Sequence, residues 1–530
     1  MEEESIKYDG FKHKGFKLIS LELKGSKLFK DIKYDFIDKK RKQDKIYTTV
    51  LIGQNGTLKS RLFQKIIQLF WSLNDLKNNR KVTISEKFDL VYSINHTIIH
   101  FTNFKQKGKV FISDPQPYLI INGEETNDFT RAELPLSIIA TAIMLTDRFP
   151  FPDQEKFKQY KYLGSRYRPQ LASSKTFINR VVEFVSSNIN SEAFIVGVRK
   201  IVKEFLNASV QPNITFYTQN TPKFFKGKMS VEKFFSYFEN MDEIYKTKNT
   251  SPPFKLNHYK SKIRNNPELS QRIVSFCNNL KENKVLRDFN GKSAKAISYN
   301  LLDENDISRL REEFVLLDHM RQLGIIYPAE IELLIIKKEN GKTESYSIFE
   351  TSSGEHNILG SMIGIIATIQ TNSIVFIDEP EISLHPNWQM KYLTFLNELL
   401  SHPEYATCHL FVATHSHFLV SDLDGHNSSV ISLTRDSDTN ELSAELLKGT
   451  NTFGWAAEEV LLKVFKVVTT RNYYVAEKLG LILDFIANEK STTESIKAKF
   501  FELELDKISG LTNEDPLKTV YETIKREYVS

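Results

Sequence analysis

The segment GQNGTLKS, residues 53–60, has the residue types and spacing of a loop that binds phosphate groups. In the usual pattern, G-x-x-x-x-G-K-[ST], backbone N–H groups surround the phosphates and the lysine adds a positive charge. Leu58 stands where that pattern has its second glycine. The alternative is a glycine turn that precedes a helix and binds nothing. The predicted phosphate-binding residues are Gln54, Asn55, Gly56, Thr57, Leu58, Lys59 and Ser60.

Two adjacent carboxylates, Asp378 and Glu379, follow an apolar run in the segment SIVFIDEPEISLHP, residues 373–386. Oxygen ligands suit Mg²⁺, so Ser60 and Asp378 are the predicted metal-binding residues, Asp378 acting through a water molecule. Glu379 is predicted to orient an attacking water molecule and to take its proton. The alternative is an acidic loop that only follows a core strand.

A third segment, ETSSGEHN at residues 350–357, places hydroxyl groups and a glycine ahead of a predicted helix. The start of a helix offers N–H donors to an anion. Because the chain's own loop already supplies donors to its phosphates, we expect this segment to face the nucleotide of a second subunit. The alternative is a simple helix cap. The predicted binding residues are Ser352, Ser353, Gly354 and Glu355.

A fourth segment, FVATHSHFLV at residues 411–420, places His415 directly after an apolar run. If that run ends at the same sheet edge as the acid pair, His415 could sense the terminal phosphate or the attacking water. His415 is therefore predicted to be catalytic together with Glu379. The alternative is a histidine with a structural role only.

The elements that must position these residues are strands followed by helices. The strand-like stretch at 45–52 ends directly at Gly53, and the residues after Ser60 have helical spacing, as a phosphate loop requires. The stretches at 373–378 and 409–414 contain the unbroken apolar runs IVFI and LFVA, which are typical of parallel strands buried on both faces. Because the carboxyl ends of parallel strands share one edge, the motifs are expected to meet there.

Composition places the chain among ordinary soluble proteins. It has 530 residues, of which 41% are apolar and 26% are charged. The only cysteines are Cys277 and Cys408, which excludes a disulfide framework, and the apolar stretches are too short to span a bilayer. These features predict a cytoplasmic protein without membrane contact.

Positive charge is concentrated in the middle of the chain. Residues 151–300 carry 26 Lys and Arg against 12 Asp and Glu, a net charge of +14, whereas the whole chain has +5. Such an asymmetry can mark a surface that binds nucleic acid. The alternative is a solvated helical surface.

The order of elements predicts an α/β fold with a mixed β-sheet and flanking helices. A hairpin is expected around Asn340-Gly341, between strands that span 329–350. The predicted domains are an N-terminal half of the head at 1–149, a helical basic insertion at 150–328, a C-terminal half of the head at 329–449 and a helical segment at 450–530.

The order of the four motifs resembles that of the ABC-type ATPase heads of SMC and OLD-like proteins. It is most similar to the compact AAA_21 ATPases of prokaryotic defence systems, such as the ATPase subunits of Septu and retron systems. The resemblance covers roughly residues 12–105 and 329–440. The sequence departs from the family pattern at Thr351, where leucine is usual, and at Ser353, where the first glycine is usual, and no Q-loop glutamine can be assigned.

The resemblance implies ATP and Mg²⁺ as cofactors and a role for each motif. Residues 53–60 would be Walker A, and Asp378 would be the Walker B carboxylate followed by the catalytic base Glu379. Residues 352–355 would be the signature loop that acts on the partner subunit. Residues 381–386 would be the D-loop, and His415 the switch histidine.

The resemblance also implies a homodimer in which two heads enclose ATP. The predicted function is a sensor or regulatory subunit of an antiphage complex that controls a separate nuclease or toxin. The alternatives are a DNA-binding ATPase of repair or chromosome maintenance, and a nucleotide-binding scaffold with negligible hydrolysis. Leu58 costs little if its φ angle is negative but should slow the site if that angle is positive. We expect binding to be retained and hydrolysis to be slow.

Overall fold

The computed structural model contains two compact units, Met1–Phe453 and Gly454–Ser530. The structure describes residues 14–38, 45–104, 116–144, 147–151, 156–168, 171–172, 174–187, 191–205, 210–218, 228–236, 263–282, 286–289, 292–336, 343–421, 423–436, 439–447, 452, 455, 457–465, 473–487, 492–508 and 516–529.

The strands are numbered in chain order. They are β1 (Phe16–Ser26), β2 (Lys30–Asp35), β3 (Tyr47–Gly53), β4 (Lys87–Ile94), β5 (Thr97–Thr102), β6 (Tyr118–Ile121), β7 (Glu124–Thr126), β8 (Ile138–Ala142), β9 (Tyr160–Leu163), β10 (Arg166–Arg168), β11 (Leu171–Ala172), β12 (Val210–Tyr217), β13 (Leu286–Phe289), β14 (Lys292–Asn300), β15 (Glu330–Ile336), β16 (Thr343–Ser347), β17 (Ile374–Asp378), β18 (His409–Thr414), β19 (Ser428–Arg435) and β20 (Leu442–Leu447).

The α-helices are numbered in the same way. They are α1 (Lys59–Lys77), α2 (Ser174–Ser187), α3 (Ser191–Phe205), α4 (Pro267–Glu282), α5 (Glu304–Gln322), α6 (Ser353–Thr368), α7 (Pro386–Leu399), α8 (His417–Val420), α9 (Ala457–Lys463), α10 (Tyr473–Ala487), α11 (Thr493–Glu502) and α12 (Pro516–Ile524). Short 3-10 turns lie at Phe129–Arg131, Ile348–Glu350, Pro403–Thr407 and Leu505–Lys507, and a π turn lies at Lys525–Val529.

The central sheet has seven strands in the order β20-β19-β3-β18-β17-β8-β9. All neighbouring pairs are parallel except β19 with the edge strand β20. The strands β8, β17 and β18 are buried throughout, as expected for a sheet covered on both faces. The register places Asp378 beside Ala413 and Ala142, and Thr414 beside Ile52. The predicted strand ends therefore meet at one edge, and the predicted α/β class is confirmed.

A second sheet is antiparallel, with the order β2-β1-β4-β5-β6-β7, and helix α1 lies between it and the central sheet. On one side Phe63 of α1 lies 5.0 Å from Phe376 of β17, measured between ring centroids. On the other side Phe70 of α1 lies 5.9 Å from Phe16 of β1. Because α1 is packed on two sides, its first turn is held firmly at the edge of the central sheet.

The segment 150–328 contains the predicted helices but also strands that the sequence did not predict. Strand β9 pairs with β8 in the central sheet, and β12–β14 form a five-stranded antiparallel sheet with β15 and β16. The predicted helical insertion is therefore only partly helical, because short segments such as β12, which mixes apolar and polar residues, become strands by pairing with distant partners. The predicted hairpin is present as β15 and β16, while its Asn340-Gly341 turn lies outside the described residues.

The second unit is helical in its described part. Helices α10, α11 and α12 enclose a small apolar core that includes Ile482, Phe500 and Tyr521. Among the helices of the described ranges, none has the length and apolar character needed to cross a membrane.

Candidate functional site

The predicted phosphate loop connects β3 to α1 at the carboxyl edge of the central sheet. Two of its glycines have positive φ angles, 156° at Gly53 and 85° at Gly56. A Cβ atom at Gly53 would lie 2.5 Å from the carbonyl oxygen of Leu433, so space also requires glycine there. Arg435 Nη2, at the end of β19, donates to the carbonyl oxygen of Gly56 at 2.9 Å. The loop is therefore shaped by β19 as well as by its own sequence.

Leu58 is the N-cap residue of α1 and has the left-handed angles φ 66° and ψ 23°. This conformation favours glycine, because a Cβ atom crowds the backbone there. The leucine side chain packs against the main core and makes no capping hydrogen bond. Of the two conformations that the sequence left open, the structure has the one with positive φ. The slow hydrolysis that we expect in this case stays a prediction.

Lys59 is buried, with 4% of its surface exposed. Its Nζ atom donates to the carbonyl oxygen of Gly53 at 2.8 Å and lies 2.8 Å from Nε2 of His415. Burial lowers the pKa of Lys59 to about 8, while the nearby carboxylates of Glu379, Asp378 and Glu381 act in the opposite direction. The Lys59 ammonium group therefore lies at the loop, where it could bind an anion.

Ser60 and Asp378 are joined directly. The Ser60 hydroxyl donates to Oδ1 of Asp378 at 3.0 Å. The pKa of Asp378 is raised to about 7, mainly by burial and also by the charges of Glu379 and Asp147, whereas the bond from Ser60 and the charge of Lys59 oppose the shift. Two oxygen groups of the kind that bind Mg²⁺ thus face each other at the end of β17.

Glu379 also has a left-handed conformation, with φ at 47°. Its backbone N–H donates to the carbonyl oxygen of Ala413 at 2.9 Å, and its Oε1 lies 3.4 Å from Nε2 of His415. The hydrogen bond with His415 holds the pKa of Glu379 below its usual range, and partial burial opposes that shift. The Glu379 carboxylate is therefore charged at neutral pH and able to accept a proton.

Asp147 lies beyond the carboxyl end of β8, next to the acid pair, and the sequence did not point to it. Its side chain is fully buried and pairs with Arg166, whose Nη2 lies 2.7 Å from Oδ1 of Asp147. The carboxylate also accepts hydrogen bonds from the Tyr162 hydroxyl and from the backbone N–H of Phe149, the latter at 3.0 Å. This second buried carboxylate close to Asp378 forms an ion pair with Arg166.

The segment 352–355 begins helix α6, as predicted. Ser352 is the N-cap residue and forms a capping box with Glu355: the Ser352 backbone N–H donates to Glu355 Oε2 at 2.9 Å. A Cβ atom at Gly354 would lie 2.4 Å from the carbonyl oxygen of Ser383, so glycine permits the close packing of this turn on the turn after β17. The side chain of Ser353 lies outside the described residues. The helix cap that was the alternative is thus present.

The structure brings together Lys59, Ser60, Asp378, Glu379 and His415 at one sheet edge, and residues 54–58 form the loop beside them. Within the described part of the chain, no hydrogen bond joins residues 352–355 to that loop. The sequence missed the contributions of Asp147 and Arg435, which no local motif indicates. It assigned Glu381 to the D-loop by resemblance only, although this residue contacts the backbone of His415.

Comparison with known families gives one match. The family model described as "AAA domain, putative AbiEii toxin, Type IV TA system" (AAA_21) matches residues 220–421. This is under half of the chain. It includes the SSGE, DEPE and THS segments, while the phosphate loop precedes it. The match supports a relationship to ATPase domains in that stretch. No curated protein matches the chain.

Several solved structures are similar to the chain at low identity. The SMC head domain from Thermotoga maritima is 12% identical, with a TM-score of 0.35, and the similarity covers 82% of this chain and 99% of that one. The Smc head of Pyrococcus furiosus bound to the C-terminal domain of ScpA is 11% identical, with a TM-score of 0.31 and coverages of 82% and 96%. The recombination mediator RecF is 12% identical, with a TM-score of 0.30 and coverages of 82% and 99%.

Proposed function

We propose that the chain binds ATP with Mg²⁺ and hydrolyses it at the sheet edge formed by β3, β17 and β18, as an ABC-type ATPase. One observation carries this proposal: the side chains of five residues from three segments, Lys59, Ser60, Asp378, Glu379 and His415, lie together there in two contacting groups. Ser60 bonds Asp378 at 3.0 Å, and His415 Nε2 lies 2.8 Å from Lys59 and 3.4 Å from Glu379.

The loop fits the phosphates of a nucleotide. Helix α1 starts without a side-chain cap, so the N–H groups of its first turn are open to an anion, and the helix dipole favours negative charge there. The buried ammonium group of Lys59 stands at the same place. Burial alone disfavours this charge, so a bound phosphate would compensate it.

The Ser60 hydroxyl and the Asp378 carboxylate fit Mg²⁺, which prefers oxygen ligands. When bound, the ion would neutralise charge on the terminal phosphates. Glu379 would orient a water molecule and take its proton, since its carboxylate is charged at neutral pH. His415, in contact with both Lys59 and Glu379, is in a position to respond to the phosphate and to the water.

The test is ATP turnover by a Glu379→Gln variant. We expect kcat to fall by about 100-fold or more with ATP binding retained, because the amide cannot accept the proton. Loss of a general base typically has an effect of this size. Glu398→Gln, an exposed glutamate on α7, is the matched control and should behave like the wild type. Turnover that survives Glu379→Gln would remove Glu379 from the assigned role.

The proposal includes a dimer in which residues 352–355 of one subunit complete the nucleotide site of the other. Its support is that Ser352 is exposed and is not bonded to the chain's own loop in the described residues. Mixing tests this: Lys59→Ala and Ser352→Arg should each be inactive alone. Their mixture should regain part of the activity, because one heterodimer site is intact. A mixture as inactive as its parts would argue against completion in trans.

The sequence resemblance supports a more specific role, as the ATPase subunit of an antiphage complex that controls a separate nuclease or toxin. The test is co-purification with the products of neighbouring genes, followed by phage challenge. Protection that is lost in Lys59→Ala supports this role. Protection that is unchanged in that variant, or neighbours unrelated to defence, would contradict it.

A second candidate, a DNA-binding ATPase of repair or chromosome maintenance, is favoured by the net charge of +14 in residues 151–300. Binding through phosphate contacts weakens steeply with salt. We would expect salt-dependent DNA binding that falls when lysines of this segment are neutralised. The third candidate, a scaffold with negligible hydrolysis, is favoured by the left-handed Leu58. Tight ATP binding without measurable turnover would select it.

A further inference from the structure

The carboxylate of Glu381 holds the end of strand β18. Its Oε1 atom accepts a hydrogen bond from the Thr414 hydroxyl at 2.8 Å and one from the backbone N–H of His415 at 2.6 Å. Glu381 follows Glu379 by two residues in the turn after β17. One side chain of this turn thus bonds the backbone of the histidine whose ring contacts Glu379.

A second side chain bonds Ser416, the residue that follows the histidine. Gln389, on α7, accepts a hydrogen bond from the Ser416 hydroxyl at 2.6 Å and donates to the carbonyl oxygen of Leu384 at 2.9 Å. Residues 414–416 are therefore tied at both ends to the segment that follows β17. Ser416 in turn caps the short helix α8 by accepting from the N–H of Phe418.

These ties decide where the imidazole ring of His415 stands. Its Nε2 atom lies 2.8 Å from Lys59 Nζ and 3.4 Å from Glu379 Oε1, so a small displacement of the backbone would break both contacts. Groups that act on a reacting centre lose much of their effect when misplaced by about 1 Å. A charge-assisted bond to the backbone N–H is a strong way to hold such a position.

We propose that Glu381 is a positioning residue for His415 in ATP hydrolysis, and this inference rests on the function proposed above. Glu381 acts through the backbone of His415 and not on the nucleotide. A glutamine can do the same, because its amide oxygen accepts both hydrogen bonds. An alanine cannot, and it leaves the Thr414 hydroxyl and the His415 N–H without their acceptor.

The experiment compares Glu381→Ala and Glu381→Gln in the wild type and in a His415→Ala background. We expect Glu381→Ala to lower kcat about tenfold with KM within about twofold, and Glu381→Gln to retain most of the activity. In the His415→Ala background, Glu381→Ala should cost less than about twofold, because its effect passes through the missing ring. An equal loss in both backgrounds would overturn the proposal.

Hydrogen exchange of the peptide that contains residues 414–416 tests the same bond without ATP. Glu381→Ala should speed its exchange, while Glu381→Gln should leave it unchanged, and thermal melting shows whether each variant is folded. Unchanged exchange in the alanine variant would overturn the proposal by itself. Absence of turnover in the folded wild-type protein would instead contradict the proposed function, and the exchange data would still decide whether Glu381 positions His415.

Discussion

Helices α1 and α6 both begin at a predicted anion-binding motif, yet their first turns are built differently. At α1 the N-cap is Leu58, which has a left-handed backbone and no capping hydrogen bond. At α6 the N-cap is Ser352, which exchanges hydrogen bonds with Glu355 in a capping box. The first helix start leaves its N–H donors open to a ligand, and the second satisfies donors with its own side chains.

The two helix starts also differ in the burial of the ionisable groups around them. Next to α1 the ionisable groups are buried, and burial moves the pKa of Lys59 to about 8 and that of Asp378 to about 7. Ser352 and Glu355 are exposed. A site that keeps uncompensated charge out of water is costly for the folded chain, and a ligand of the right charge removes that cost. The contrast indicates that an anionic ligand would stabilise the start of α1, whereas the cap of α6 forms without one.

The largest effect is expected from Asp378→Asn, measured as thermal stability without Mg²⁺. The raised pKa means that the folded chain binds more protons than the unfolded chain between pH 4 and pH 7. The contribution of Asp378 to stability is thus present below about pH 4 and is lost as pH rises to about 7. At pH 8 the variant should be more stable than the wild type by on the order of 3 kcal/mol, with a flatter pH profile.

Asp484→Asn is the control for this measurement, because that aspartate is exposed on α10 and should change stability little. A variant at Asp378 that is less stable than the wild type at pH 8 would show that the Ser60 bond outweighs burial. The statement that buried charge next to α1 destabilises the folded chain would then be wrong.

An intermediate effect is expected from Leu58→Gly. Glycine removes the left-handed strain, about 1 kcal/mol, but also loses the packing of the leucine side chain against the core. Stability should therefore change by less than about 1 kcal/mol, while ATP turnover should rise several-fold if strain slows the loop. Leu58→Ala is the matched control, since it loses packing but keeps the strain. Turnover that does not rise, or that rises equally in both variants, would remove strain as the cause.

The smallest effect is expected from Ser352→Ala, which removes the cap of α6. Such losses cost about 1 kcal/mol, so the melting temperature should fall by a few degrees at most. Ser352→Thr keeps the hydroxyl and should restore stability. If Ser352→Ala melts at the same temperature as the wild type, the capping box does not stabilise α6. The N–H donors at the start of α6 would then be no better paired than those of α1, and the comparison between the two helix starts would lose its basis.

Much of the candidate site could be predicted because its signals are local. The loop at residues 53–60 is identified without any tertiary contact, by its glycines and lysine, by the strand pattern before it and by the helical spacing after it. The acid pair and His415 follow apolar runs, and parallel strands bring their carboxyl ends to one edge. The strands in 150–328 could not be predicted, since short segments such as β12 mix apolar and polar residues and take their state from distant partners.

The sequence by itself determined which chemical groups lie at the ends of β3, β17 and β18, because residue types and the spacing of apolar residues can be read directly from it. Only the tertiary structure decided the backbone conformation of Leu58, the approach of Asp147 to Asp378 and the hold of Glu381 on His415. Each of these depends on neighbours far apart in sequence, and burial and distance between such neighbours exist only in the folded chain.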